Sequence, residues 1–579
     1  MTTDYPRISL QFRFAAAASS LALLTSCATQ PAGRPQTVAA AASLREARSP
    51  TVSAETRAAD YLRAAALTAP DLGNSTSCEI YNSASSELTI LLRSADEGRL
   101  WNRPLTLTAD NTTYRLRLQP AARAIWSPDY FTSFLDPKRV KHALIKKEVT
   151  QAGVGGPLVG VRAVFPPENF APSKGISAPV TATLDFHGTD VTLALRRPAK
   201  QPTATVEGVT RPLSADYSAP ISYHRPPGNV LLIGLMGALR GARYEKKAGL
   251  YFLQPYDPDR IPVVFVHGLI STPFDWVQTI NGLLADPEIR RHYQFWVFAY
   301  PTGNPVLYSA LRLREELARV DKLYPNHKSY VLVGHSMGGL LSQAQVMNIT
   351  RVDWEKTLGP LAMQVFATLQ PGDLVTRATT FKANSRIKRV VFICTPHRGS
   401  KMASGGIGEL GIKLISLPVD LVTTIKSEIP EATLRKINDG RLPNSVSNLK
   451  PSAPYLKVLN EEPIQAPYHS IIGNRGRPGP LAESSDGVVP YCSSHLDGAQ
   501  SEVIVPGPHG SCQLPQTIAE LDRILKLNLG KSATKHRQQT VLVEPAQTPG
   551  RLNVEHDTFG LRQPIQGDDA DRMLGRNVQ

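Results

Sequence analysis

The chain has 579 residues, 42% of them hydrophobic and 20% charged, which is ordinary for globular proteins, allows more than one domain and excludes a fibrous polymer. A formal net charge of +15 raises the question of nucleic acid. No nucleic-acid-binding motif occurs, and a surplus of Lys and Arg suits a protein lying against anionic lipid equally well.

In chain order, Arg7 and Arg13 precede an apolar run over residues 14–24, which ends in Leu24-Thr25-Ser26-Cys27. A positive start, a short apolar run and small residues before a cut make residues 1–27 a secretory signal, too short to span a bilayer. The cysteine at its end resembles the bacterial lipoprotein signal. That resemblance implies acylation of Cys27 after cleavage, a membrane anchor, and a place in the cell envelope; Ala28 leans toward the outer membrane. Residues 28–54, rich in Ala, Pro, Ser, Thr and Gln, read as a flexible tether.

Residues 55–96 read as a helical hairpin: segments 55–69 and 76–95 have helical spacing, with Ile80, Ala84, Leu88, Leu91 and Leu92 on one face. Residues 97–249 form a β-rich accessory region, with alternating segments at 105–108, 113–118, 180–186 and 190–195 and no catalytic constellation. Its densest basic run, Lys138-Arg139-Val140-Lys141-His142 with Lys146 and Lys147, reads as a solvated face. Residues 229–242 are apolar and broken by glycines, which predicts a buried segment.

The chemistry gathers in residues 250–529. A strand over residues 261–266 ends in His267-Gly268-Leu269. A second strand over 330–333 runs into Gly334-His335-Ser336-Met337-Gly338, and a helix-compatible stretch follows to Met347. Strand, sharp turn and helix with serine at the apex make a nucleophile elbow, for which Gly334 and Gly338 allow strand and helix to approach. A serine hydroxyl needs a histidine base and an acid that orients it, in the chain order Ser, Asp or Glu, His. Strand-like residues 468–473 lead to Ser485-Asp486-Gly487-Val488-Val489-Pro490, and strand-like residues 502–505 lead to Pro506-Gly507-Pro508-His509-Gly510. Loops past such strand ends converge on one edge of an open sheet, so Asp486 is assigned as the acid and His509 as the base. Asp373, Asp420 and Asp497 follow no comparable late strand. His495 precedes the last strand, and His397 precedes every late acid. The backbone N–H groups of Met337 and Leu269 are the expected oxyanion donors.

Strand-His-Gly-Leu, Gly-His-Ser-Met-Gly-Gly, Ser-Asp-Gly-Val-Val-Pro and Pro-His-Gly together resemble the α/β-hydrolase superfamily, most closely its bacterial lipase and esterase branch. The resemblance implies an α/β sheet with helices on both faces and hydrolysis of an ester or lipid through an acyl-enzyme. It also implies that neither a metal nor an organic cofactor takes part. Transfer of the acyl group to an envelope acceptor, amide cleavage, and a non-catalytic binding lipoprotein are the alternatives.

Two long insertions, 349–386 and 401–467, interrupt the catalytic region. The second carries Ile407, Leu410, Ile412, Leu414, Ile415, Leu417, Val419, Leu421, Val422 and Ile425, which predicts a cap over an apolar pocket. Setting Cys27 aside leaves Cys78, Cys394, Cys492 and Cys512. A Cys492–Cys512 disulfide would join the acid loop to the base loop, while Cys394 reads as a small core residue. Residues 530–579 read as a disordered tail.

Overall fold

The computed structural model describes residues 35–120, 126–165, 170–226, 229–240, 244–404, 415, 417–438 and 442–530. The signal segment, Cys27, the tail beyond residue 530 and, of the expected roof, Ile407, Leu410, Ile412 and Leu414 lie outside the described residues.

Three helices open the described chain: α1 (Pro35–Ala47), α2 (Ala54–Thr68) and α3 (Ser75–Ser94). The side chains of Ser53 and Asn74 accept from Thr56 N and Ser77 N, at 3.1 and 3.0 Å, and so fix where α2 and α3 begin. Residues 35–47, expected to belong to a tether, are instead a helix. Helix α1 packs on α2 through the buried Ala40, Ser43, Leu44 and Ala47. Alanine is the strongest helix former, and its small side chain lets two helix axes come close, so this composition builds an ordered face.

The accessory strands are β1 (Leu105–Ala109), β2 (Thr112–Leu118), β3 (Ser133–Leu135), β4 (Gly156–Arg162), β5 (Ile176–His187) and β6 (Asp190–Arg196). They form one sheet in the order β1-β2-β6-β5-β4-β3. Alternation along β1 turns Leu105, Leu107 and Ala109 inward, toward a core shared with the three helices. Helix α3 is pinned to that sheet by Tyr81, whose hydroxyl donates to Leu184 O at 2.6 Å and accepts from Leu184 N at 2.8 Å.

The apolar stretch expected in the core instead forms α4 (Val230–Leu239), which buries only Gly234 and Ala238. Leu231 is 68% exposed, and Leu232 and Leu235 are also exposed. The reason is steric: a Cβ on Gly234 would stand 2.7 Å from the carbonyl oxygen of Ile270, so only small residues can meet the body there.

The second sheet contains β7 (Gly249–Phe252), β8 (Ile261–Val266), β9 (Tyr293–Ala299), β10 (Tyr330–His335), β11 (Ile387–Ile393), β12 (Tyr468–Asn474) and β13 (Ser501–Pro506). Its order is β7-β9-β8-β10-β11-β12-β13, with β7 antiparallel and all other pairs parallel. Strands buried on both sides need helices on both sides. Helices α5 (Val306–Leu323) and α6 (Met337–Gln343) cover one face, and α7 (Pro515–Asn528) covers the other. The chain leaves β8 for β9 on one side and returns to β10 on the other, so the crevice at the ends of β8 and β10 is a topological switch point.

Short helices fill the insertions, among them Leu374–Thr379 in the first and Val419–Glu428 in the second. The Glu428 carboxylate joins them by accepting from Leu374 N and Val375 N, at 2.7 and 2.9 Å. Of the residues expected to roof a pocket, Leu421 is buried and Val419 faces solvent. The accessory and catalytic regions meet at a fixed seam. Arg197 reaches Asp257 at 2.8 Å, Lys200 reaches Asp259 at 2.9 Å, and the Phe170 ring stacks on Phe252 with centroids 4.8 Å apart.

Candidate active site

Ser336 sits between β10 and α6 with φ 53° and ψ −127°, a conformation that costs a non-glycine residue energy and persists only where its surroundings enforce it. Two glycines are part of that enforcement. A Cβ on Gly334 would come within 2.6 Å of Gly338 O, and one on Gly338 would strike Val266 O. The Ser336 N–H donates to Ile393 O at 2.8 Å, tying the turn to β11.

His509, on the loop after β13, places Nε2 2.8 Å from Ser336 Oγ and Nδ1 2.7 Å from Asp486 Oδ2. Asp486 is buried, and its Oδ1 accepts from Val488 N and Val489 N at 2.8 and 2.7 Å. Burial works against its charge, but the hydrogen bond and charge of His509 together with those two N–H groups hold its carboxyl below the ordinary carboxylate range. Three side chains far apart in the sequence thus form one continuous hydrogen-bonded chain.

Gly268, at the end of β8, abuts the nucleophile: a Cβ there would lie 2.9 Å from Ser336 Cβ. This places the backbone leading into Leu269 beside the serine, opposite the start of α6 at Met337. Ile270 follows with φ 54° and donates its N–H to Thr302 Oγ1 at 3.2 Å, fixing the loop. His267 is buried, stacks on Tyr300 and is held neutral by burial, with its pKa lowered to about 4.

Two neighbours have contacts that the sequence did not mark, although Cys394 is the small core residue expected. His335 Nε2 lies 2.7 Å from the carbonyl oxygen of His509, so its imidazole holds the base's backbone in place. Burial first, then the charge of His509, lowers its pKa to about 3, so it remains a neutral donor. Cys394, with φ 49° just after β11, lies beside Asp486: a Cβ on Gly473 would meet Asp486 Cβ at 2.9 Å and Cys394 Sγ at 3.2 Å. Burial above all, then that carboxylate, pushes its thiol well up and keeps it protonated. No sequence pattern marks either role, because both depend on loops meeting across the sheet.

The other candidates lie elsewhere. His397 is buried, with Nδ1 2.8 Å from Gln343 Oε1, and burial lowers its pKa to about 3; it belongs to the packing. His495 pairs with Glu502 at 2.6 Å. Asp373 accepts from Gln370 N at 2.7 Å before its own helix. The expected Cys492–Cys512 disulfide is absent, and both residues are free thiols. Cys492 is exposed, whereas Cys512 is buried among the residues beneath the sheet, so the sulfurs occupy different environments. What joins the two loops is the Asp486–His509 bond itself.

Residues 263–437 match the sequence profile of the Alpha/beta hydrolase family, a span that includes Gly268 and Ser336 but neither Asp486 nor His509. No curated protein matches this chain. Among solved structures, the lipase BlEst2 of Bacillus licheniformis in its mature form is 16% identical, with 47% of this chain and 93% of that one covered at a TM-score of 0.27. The esterase Pf2001 of Pyrococcus furiosus is 13% identical over 46% and 83%, at 0.25. A thermostable carboxyl esterase from Bacillus coagulans is 13% identical over 48% and 92%, at 0.27. By its strand order, its strained serine turn and the matched profile, the body spanning residues 249–528 is an α/β-hydrolase fold.

Proposed function

We propose that this chain is a serine hydrolase that cleaves carboxylic esters through an acyl-enzyme while anchored in the bacterial envelope by acylated Cys27. The hydrogen-bonded chain Ser336–His509–Asp486 carries the reading. His509 Nε2 takes the hydroxyl proton as Ser336 Oγ attacks the ester carbonyl, and Asp486 fixes the tautomer and stabilises the imidazolium. The N–H groups of Met337 and Leu269 receive the oxyanion. His509 returns the proton to the departing alcohol, and water repeats both steps on the acyl-serine.

Ser336→Ala removes the nucleophile from a site whose backbone already holds the turn. Ester turnover and labelling by a fluorophosphonate should both vanish while the thermal midpoint holds. Labelling that persists in Ser336→Ala would refute the assignment. Anchoring has its own test: Cys27→Ala should move the chain from the membrane fraction to the soluble fraction, and unchanged fractionation refutes the anchor.

A further inference from the structure

Helix α4 is turned inside out beside the Ser336 rim. None of its residues, Val230-Leu231-Leu232-Ile233-Gly234-Leu235-Met236-Gly237-Ala238-Leu239, is polar or charged. Gly234 and Ala238, one turn apart, face the body, while Leu231, Leu232 and Leu235 face solvent. A helix that serves only a water-soluble fold does the reverse, burying its large apolar residues. The patch continues onto Ile270, which is 42% exposed and lies beneath Gly234. Ile270 follows Leu269 and Gly268 directly, so the patch reaches the loop that abuts the nucleophile.

Charge says what covers this face. Arg240 follows the helix and Lys246 lies just beyond it, both exposed, and neither has a carboxylate partner among the described residues. Glu245, between them, is turned away: its carboxylate accepts from Asn304 Nδ2 and from the Tyr308 hydroxyl, each at 2.9 Å. Exposed leucines rimmed by cations, on a chain of net charge +15, complement a surface that is apolar inside and anionic at its boundary.

We propose that α4 and Ile270 form a docking face for anionic phospholipid bilayers. The leucines enter the boundary of headgroups and acyl chains, Arg240 and Lys246 lie at the level of the phosphates, and the Ser336 rim is held against the lipid. The docking itself does not depend on the ester chemistry at Ser336.

The test uses the full chain carrying Cys492→Ser and Leu235→Cys, labelled with the polarity-sensitive dye acrylodan; the same chain without Leu235→Cys sets the background. Vesicles of phosphatidylglycerol and phosphatidylcholine should shift the emission of the dye at position 235 to the blue, and pure phosphatidylcholine vesicles should shift it far less. Adding Leu231→Glu should abolish the shift, and Arg240→Gln with Lys246→Gln should weaken the insertion that the dye reads by about thirtyfold. An N-terminal lipid tethers every one of these chains alike, so only insertion of the face moves the dye. Unchanged emission on anionic vesicles overturns the proposal. Blue emission before vesicles are added overturns it in favour of a covering segment from residues 405–414, and a concentration-dependent shift without vesicles overturns it in favour of a second copy.

Discussion

Asp486 has one carboxylate oxygen on His509 and the other on two backbone N–H groups, so its orientation is over-determined. Asp486→Asn keeps the shape but offers an amide where His509 Nδ1 needs an acceptor, which favours the wrong tautomer. Ester turnover should fall by about 10⁴-fold with KM little changed, as read in steady-state kinetics. Gly473 is the complementary case. A methyl there would sit 2.9 Å from Asp486 Cβ and 3.2 Å from Cys394 Sγ, so Gly473→Ala should lower kcat more than it raises KM. Equal losses in a variant of unchanged melting temperature would argue against that coupling. At this scale the sequence was legible where chemistry is local. Strand, Gly-x-Ser-x-Gly and helix are contiguous, and Asp486 and His509 could be placed because each closes a late strand. The hydrogen bond of His335 and the place of Cys394 beside Asp486 were not legible, since each involves a loop far away in the chain.

The elements carry a different lesson. Helix α1 lies in a stretch whose composition suggests a spacer, yet Leu44 is 7% exposed and packs with Ala40 and Ala47 against the following helices. Leu44→Ala should cost about 2–4 kcal/mol of unfolding free energy by denaturant titration, whereas a true tether would show no change. Helices α2 and α3 fall within a residue of the segments 55–69 and 76–95 that spacing marked. Strand β8 is apolar throughout and bounded by turn residues, so its existence followed from pattern alone, whereas β9, with Gln294 inside it, went unread. Helix α4 shows where pattern runs out: hydrophobicity says that a face seeks cover without saying what supplies the cover.

For the whole molecule, His224, His267, His335 and His397 are buried and neutral, chiefly through burial, with pKa values lowered to about 4, 4, 3 and 3. An unfolded histidine titrates near ~6.5. Between these values the unfolded chain binds protons that the folded one does not, so stability is complete above ~6.5 and falls as pH drops, by about 1.4 kcal/mol per pH unit for each histidine. The urea midpoint should therefore decline steeply from about pH 6.5 to about pH 4.5; a flat profile would mean that these rings are hydrated. The seam between the two sheets has a practical outcome for anyone cutting this polypeptide at the hydrolase boundary. Freed of its upstream half, the enzyme would carry a raw aromatic wound at Phe252 and an aspartate stripped of its guanidinium at 257. Such a fragment should clump in solution, because the two regions are packed as one folding unit.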